Sequence, residues 1–247
     1  MVHFILLGTQ RTGSTVVCNS LADHPQVLQY GELFHRVELN RVTEAARQTI
    51  GVERCLSNGF PVCRDSDNGD EYLAKLFSQS TREQAIGFKM MCNHARKGPI
   101  ASAWDYLDRH TEIRILHMQR RNWLKPLISI VRTGRTSVWH SMKSMTTEPF
   151  DIPPALCQEY FDEMERWRDM IQPLLANHPV LALEYQQLLE DFSGTMARTC
   201  DFLEVNSEIA MVPSLVKIAQ HEPHIELTNY QELQTHFRNT SYAEFFP

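Results

Sequence analysis

The start of the chain constrains its fold most: an apolar run, then a glycine-bounded polar turn, then a helix. Val2-His3-Phe4-Ile5-Leu6-Leu7-Gly8 is short, rich in strand formers and closed by glycine, which predicts a buried strand. Thr9-Gln10-Arg11-Thr12-Gly13 is a polar turn. Ser14 to Leu21 reads as a short helix stopped by His24-Pro25. A strand–turn–helix opening of this kind aims the unpaired N–H groups of a helix start at whatever lies beyond the strand, and that is an anion site.

The turn has a specific pattern. Gly8-Thr9-Gln10-Arg11-Thr12-Gly13-Ser14-Thr15 keeps both glycines of the phosphate-loop spacing GxxxxGK[ST], but Ser14 stands where the lysine belongs and the cation has moved to Arg11. The backbone cradle survives this change; the usual charge on the β- and γ-phosphates of a nucleoside triphosphate does not. A strand ending in the magnesium-holding Asp is also missing, because the fourth expected strand runs into Gln119-Arg120-Arg121 and the fifth into Glu184. The loop therefore reads as an anion cradle built on arginine and backbone, with no metal expected.

Along the rest of the chain, strands and helices alternate. Strands are expected at Val27–Tyr30 (running into Gly31-Glu32), Ala85–Met91, Ile113–Met118 and Val180–Leu183. Helices are expected at about 38–49, 71–77, 104–109, 155–177, 192–203 and 230–237, with Asn122 capping a long helix to about 145. Residues 64–70 read as a loop. This alternation implies an α/β fold with a central parallel sheet flanked by helices, three layers in all. At 247 residues with no internal repeat or linker, the chain is expected to form a single domain over 1–247, with irregular inserts at about 36–84 and 146–156.

Composition narrows the class. Twenty-four basic against 30 acidic side chains give a net charge of −6, which argues against a dedicated nucleic-acid or polybasic membrane binder. No apolar stretch is long enough for a transmembrane helix, and the first apolar run is too short for a secretory signal. The six cysteines form no CxxC pair. A reduced, cytoplasmic protein is expected.

Two further features join the loop. Arg120-Arg121 follow the fourth strand, and Ser129 comes eight residues after Arg121, about two turns into the next helix, where an Arg and a hydroxyl can share a phosphate. Glu32 ends the second strand. If that strand pairs with the first, this carboxylate sits beside the cradle, where its natural task is to accept a proton.

Together these residues resemble a known family. Arg11-Thr12-Gly13-Ser14-Thr15 is similar to the 5′-phosphosulfate loop of sulfotransferases that use 3′-phosphoadenosine 5′-phosphosulfate (PAPS). Arg121 to Ser129 resembles their 3′-phosphate motif, with Arg120 as helper. Glu32 in Tyr30-Gly31-Glu32-Leu33-Phe34 looks like the carboxylate base of the carbohydrate-type and bacterial branches, including trehalose sulfotransferase-like enzymes. Leu183-Glu184-Tyr185-Gln186-Gln187-Leu188 resembles the family segment YEDL, and Tyr185 alone carries over, toward the adenine.

The resemblance implies transfer of a sulfuryl group from PAPS to an acceptor hydroxyl, carbohydrate or glycolipid, leaving adenosine 3′,5′-bisphosphate (PAP), with the inserts at about 36–84 and 146–156 on the acceptor side. Arg11 and residues Thr12 to Thr15 would hold the phosphosulfate and Glu32 would act as base. Lys89 and His94 follow the third expected strand and are candidates for substrate contact or proton transfer; a satisfied loop histidine is the plainer account of His94. The rival classes are a small-molecule phosphate-loop kinase and a non-catalytic nucleotide-binding module. Trp139 and Met142 read as core, Tyr242, Phe245 and Phe246 as a docked tail, and residues 163–168 as a solvated helix face.

Overall fold

A computed structural model describes residues 1–34, 56–57, 60–61, 67–136, 148–213 and 222–247. Five parallel strands form the central sheet: β1 (Val2–Gly8), β2 (Val27–Glu32), β5 (Ala85–Met91), β6 (Arg114–Gln119) and β7 (Val180–Glu184), in the order β2-β5-β1-β6-β7. Two two-residue strands, β3 (Leu56–Ser57) and β4 (Phe60–Pro61), pair antiparallel beside it. The helices are α1 (Ser14–Ala22), α2 (Gly69–Phe77), α3 (Ser102–Arg109), α4 (Leu124–Thr136), α5 (Pro154–Asn177), α6 (Tyr185–Glu190), α7 (Phe192–Phe202), α8 (Pro223–Glu226) and α9 (Tyr230–Phe237).

Alternation along β1 divides the core in two. Phe4 and Leu6 face α1 and α7, packing with Val17, Leu21, Met196 and Cys200. Ile5 and Leu7 face the other way, toward Leu73 and Phe77 of α2, Leu107 of α3 and Ile171 of α5. A strand with both faces covered is what an uninterrupted apolar run produces in a parallel sheet. A third cluster lies off the sheet, around the fully buried Phe161: Leu124, Leu127 and Ile128 of α4 meet Phe237, Tyr242, Phe245 and Phe246. The expected docking of the C-terminal aromatics is therefore found, and Asn122 Nδ2 donates to the carbonyl of Phe245 at 2.9 Å.

Several bounds move for local reasons. Asn122 does cap α4, its Oδ1 accepting from the N–H groups of Leu124 and Lys125. The end of the long helix expected there, and Trp139 and Met142, lie outside the described residues, as does the helix expected at about 38–49. Gly69 and Asp70 are helical rather than loop, because the Asn68 side chain accepts from the N–H groups of Asp70 and Glu71 and starts the helix early. The fourth strand begins at Arg114, since the N–H of Ile113 is taken by the carbonyl of His110. The helix expected at 104–109 begins at Ser102. The 163–168 face is not wholly solvated: Met164 is buried, and Trp167 packs against the core while donating to Glu163. Nor does the whole of 36–84 sit at an acceptor edge. Phe77 at the end of α2 stacks on His3, at the start of β1 and so at the opposite edge of the sheet.

Two glycines test this packing. A Cβ at Gly87, mid-β5, would lie 2.3 Å from the backbone oxygen of Phe4, whereas a Cβ at Gly134, exposed near the end of α4, would meet nothing within 4 Å. Gly87→Ala is expected to lower unfolding free energy by about 3 kcal/mol, and Gly134→Ala to raise it by about 0.5–1 kcal/mol. Denaturant melts followed by circular dichroism check both signs.

Candidate active site

Parallel strands place all their C-terminal ends at one edge, and there the loop after β1 forms a cradle. Arg11 (φ 61°) and Gly13 (φ 85°) both have positive φ, a turn backbone of the kind from which N–H nests for anions are built. Gly13 heads α1 without a side-chain cap, its carbonyl accepting from Val16 and Val17. The loop is pinned from three sides. Thr12 Oγ1 donates to the carbonyl of Thr9 at 2.8 Å, and the N–H of Cys92 donates to the carbonyl of Gly8 at 2.9 Å. The ring of Tyr185 lies against Gly13, where a Cβ would come within 2.7 Å of it. Glycine at 13 is thus required twice, for its φ and for the room that the Tyr185 ring takes.

Arginines converge on this cradle. Arg11 Nε donates to Ser129 Oγ at 2.8 Å, joining two motifs 118 residues apart. Arg120 donates from Nη1 to the carbonyl of Arg11 at 3.0 Å and lies over the Tyr185 ring, 4.3 Å from its centroid. Burial lowers the pKa of both guanidiniums, and nearby Tyr185 opposes this. Arg132, one turn beyond Ser129 on α4, is 7% exposed and ion-paired with the buried Glu226 of α8. Its pKa too is lowered first by burial and then by the charge of Arg11. Arg121 lies elsewhere: its side chain is 82% exposed at the rim, bound to Glu184 at 2.8 Å.

The acidic half of the site forms differently from the expectation. β2 does not pair with β1; β5 lies between them. Glu32 stands opposite Lys89 in the β2–β5 register, and Lys89 Nζ binds Glu32 Oε1 at 2.6 Å and Thr15 Oγ1 at 3.0 Å. Lys89 is 4% exposed and Glu32 30%. The carboxylate is thus linked to the cradle by a lysine of the intervening strand. Ser14 is buried at the start of α1. His94 sits in the turn after β5, its Nδ1 accepting from the N–H of Met91 at 3.3 Å and its carbonyl accepting from Trp104.

Arg132 and Glu226 were not among the residues singled out from the sequence. Arg132 carried a signal, being three residues after Ser129 on one helix face; Glu226 carried none. His117 of β6, pushed down to about 4 by burial, is another polar side chain near this edge without a sequence signal. Among the described residues no group of three or more His, Cys, Asp or Glu side chains is arranged to hold a metal, and no helix is long and apolar enough to cross a membrane.

The sequence profile of the sulfotransferase family matches residues 4–208. Nodulation protein H of Rhizobium meliloti (strain 1021) is 24% identical over 98% of this chain and 94% of its own length. Nodulation protein H of Rhizobium tropici is 23% identical over 98% and 92%. The crystal structure of a sulfotransferase from Alicyclobacillus acidocaldarius superposes with a TM-score of 0.53 at 15% identity, covering 99% of this chain and 94% of that one, which shows a shared fold. The family match takes in the cradle, Glu32, Lys89, the Arg120–Ser129 segment and Tyr185, and on that match the chain belongs to the sulfotransferase family.

Proposed function

We propose that this sulfotransferase takes its sulfuryl group from PAPS and transfers it to the hydroxyl of a carbohydrate or glycolipid, with Glu32 as general base. The observation that carries the reading is the Arg11–Ser129 hydrogen bond, which makes one continuous anion site of the loop after β1 and the helix after β6. The residues present fit the donor: a left-handed N–H cradle, an arginine within it, and a hydroxyl and two further arginines beside it. The donor supplies a sulfuryl group bonded to a phosphate oxygen, a leaving group already activated.

The chain's own residues supply the rest. Arg11 and the N–H and hydroxyl groups of Thr12 to Thr15 hold the 5′ end and stabilise charge that grows on the departing phosphate oxygen. Glu32 accepts the acceptor's hydroxyl proton as the oxygen–sulfur bond forms and the sulfur–phosphate-oxygen bond breaks, leaving PAP. Ser129 and Arg121 hold the 3′-phosphate, with Arg120 beside them. Arg121 is exposed at the rim and can exchange Glu184 for a phosphate. The Tyr185 ring, already stacked on Arg120, gives the adenine a flat neighbour. A sulfuryl group carries less charge than a phosphoryl group, which suits a cradle that lacks the phosphate-loop lysine at Ser14. The carbohydrate or glycolipid acceptor follows from Glu32 as base, the arrangement of that branch of the family.

Calorimetric titration in EDTA tests the donor. PAP is expected to bind more tightly than ATP or 5′-AMP. Arg121→Ala is expected to weaken PAP about tenfold or more while leaving 5′-AMP little changed, since only the 3′-phosphate loses a charge-assisted bond. A preference for magnesium ATP, or no effect at Arg121, would favour the kinase instead. The base is tested by Glu32→Gln: sulfate transfer from radiolabelled PAPS to a glycan panel should fall about 10²–10⁴-fold, with PAP affinity unchanged. Full transfer by this variant would assign the proton to a different base.

A further inference from the structure

Lys89 has no role in the steps above, yet among the described residues it is the most buried charged group at this edge of the sheet. Its position follows from the strand pattern: on β5 it is opposite Leu6 of β1 and Glu32 of β2, on the face that packs against α1. Its stem is enclosed, and its ammonium, 4% exposed, reaches two groups of opposite function. One is the carboxylate of Glu32, at 2.6 Å. The other is the hydroxyl of Thr15 in the donor loop, at 3.0 Å.

We propose that Lys89 is a positioning residue, which fixes the Glu32 carboxylate and couples it to the donor loop through Thr15. This rests on the reading of Glu32 as the base. A buried ammonium carries three donors and accepts nothing. One donor takes a carboxylate oxygen of Glu32, which holds that group ionised and limits its rotation. Another takes a lone pair of the Thr15 hydroxyl and so leaves that hydroxyl's own hydrogen for donation within the cradle, polarised by the charge behind it. The lysine thereby acts on both reacting sides without touching either substrate. Among the described residues, the titratable and charged groups facing the Glu32 carboxylate are this ammonium, from β5, and the Cys18 thiol, from α1. The thiol is pushed up by burial and stays neutral, so of these two groups the lysine brings the charge that favours the ionised carboxylate.

Side-chain carboxyl ¹³C NMR of the full chain tests this without an acceptor, using Glu32→Gln to assign the resonance. In Lys89→Met the Glu32 midpoint is expected to rise by about 1–3 pH units, the usual effect of losing an opposite charge at this range, and to return toward wild type in Lys89→Arg. An unmoved midpoint would overturn the proposal, and so would lost PAP binding with an unmoved midpoint, which would make Lys89 a donor ligand. Should Lys89→Met not fold, Lys89→Gln, which keeps a polar side chain without the charge, carries the same test: its Glu32 midpoint should also rise, and an unmoved midpoint would overturn the coupling. The two readings fail separately. Full sulfate transfer by Glu32→Gln removes the base and the positioning role with it, whereas an inactive Glu32→Gln with an unmoved midpoint removes the positioning role alone.

Discussion

The site depends on the parallel hydrogen bonding of β5 to both β1 and β2. With every strand running the same way, the cradle after β1, the carboxylate ending β2 and the arginines after β6 must all come to one edge. No side chain chooses that edge; it follows from the direction of the sheet and from helices that return each strand to its start. What the side chains decide is whether the edge is chemically coherent. Here a short ammonium bridge links the acidic strand to the anion-binding loop.

The basic half of the site is under electrostatic tension. Arg11, Arg120 and Arg132 repel one another, and burial disfavours each charge further. Three devices offset this: the carbonyl of Arg11 accepting from Arg120, the Tyr185 ring under Arg120, and Glu226 against Arg132. A cluster of aromatic side chains around Phe161 braces the helix that carries Ser129 and Arg132. Like charges are thus held in register by apolar packing several residues away, which leaves them ready for an anion.

Much of this was legible from local pattern. The bounds of β5 and α9 agree with their sequence readings residue for residue, because a short run rich in strand formers and an amphipathic run at helical spacing are local signals. The loop was legible because glycine at 13 has two independent physical reasons to be there. Strand order was not legible, since pairing between distant segments leaves no mark on either. The reading of Glu32 beside the cradle assumed that β2 adjoins β1; the carboxylate is joined to the cradle because Lys89, on the strand between them, binds both. Arg120 and Arg121 are neighbours in sequence and face opposite environments, one under the loop and one at the rim, and no propensity distinguishes them. Glu226 lies far along the chain, and only folding brings it to Arg132.

The intervening strand also makes the sheet a ruler. Adjacent strands repeat every 4.7–4.9 Å, so the ends of β1 and β2 stand about 10 Å apart, a gap fixed by backbone hydrogen bonds rather than by any side chain. Substitutions in the loops can reshape what enters that gap but cannot change its width. Change in the loops can therefore alter what is admitted between Glu32 and the cradle, while the spacing of the two strand ends that carry them stays constant.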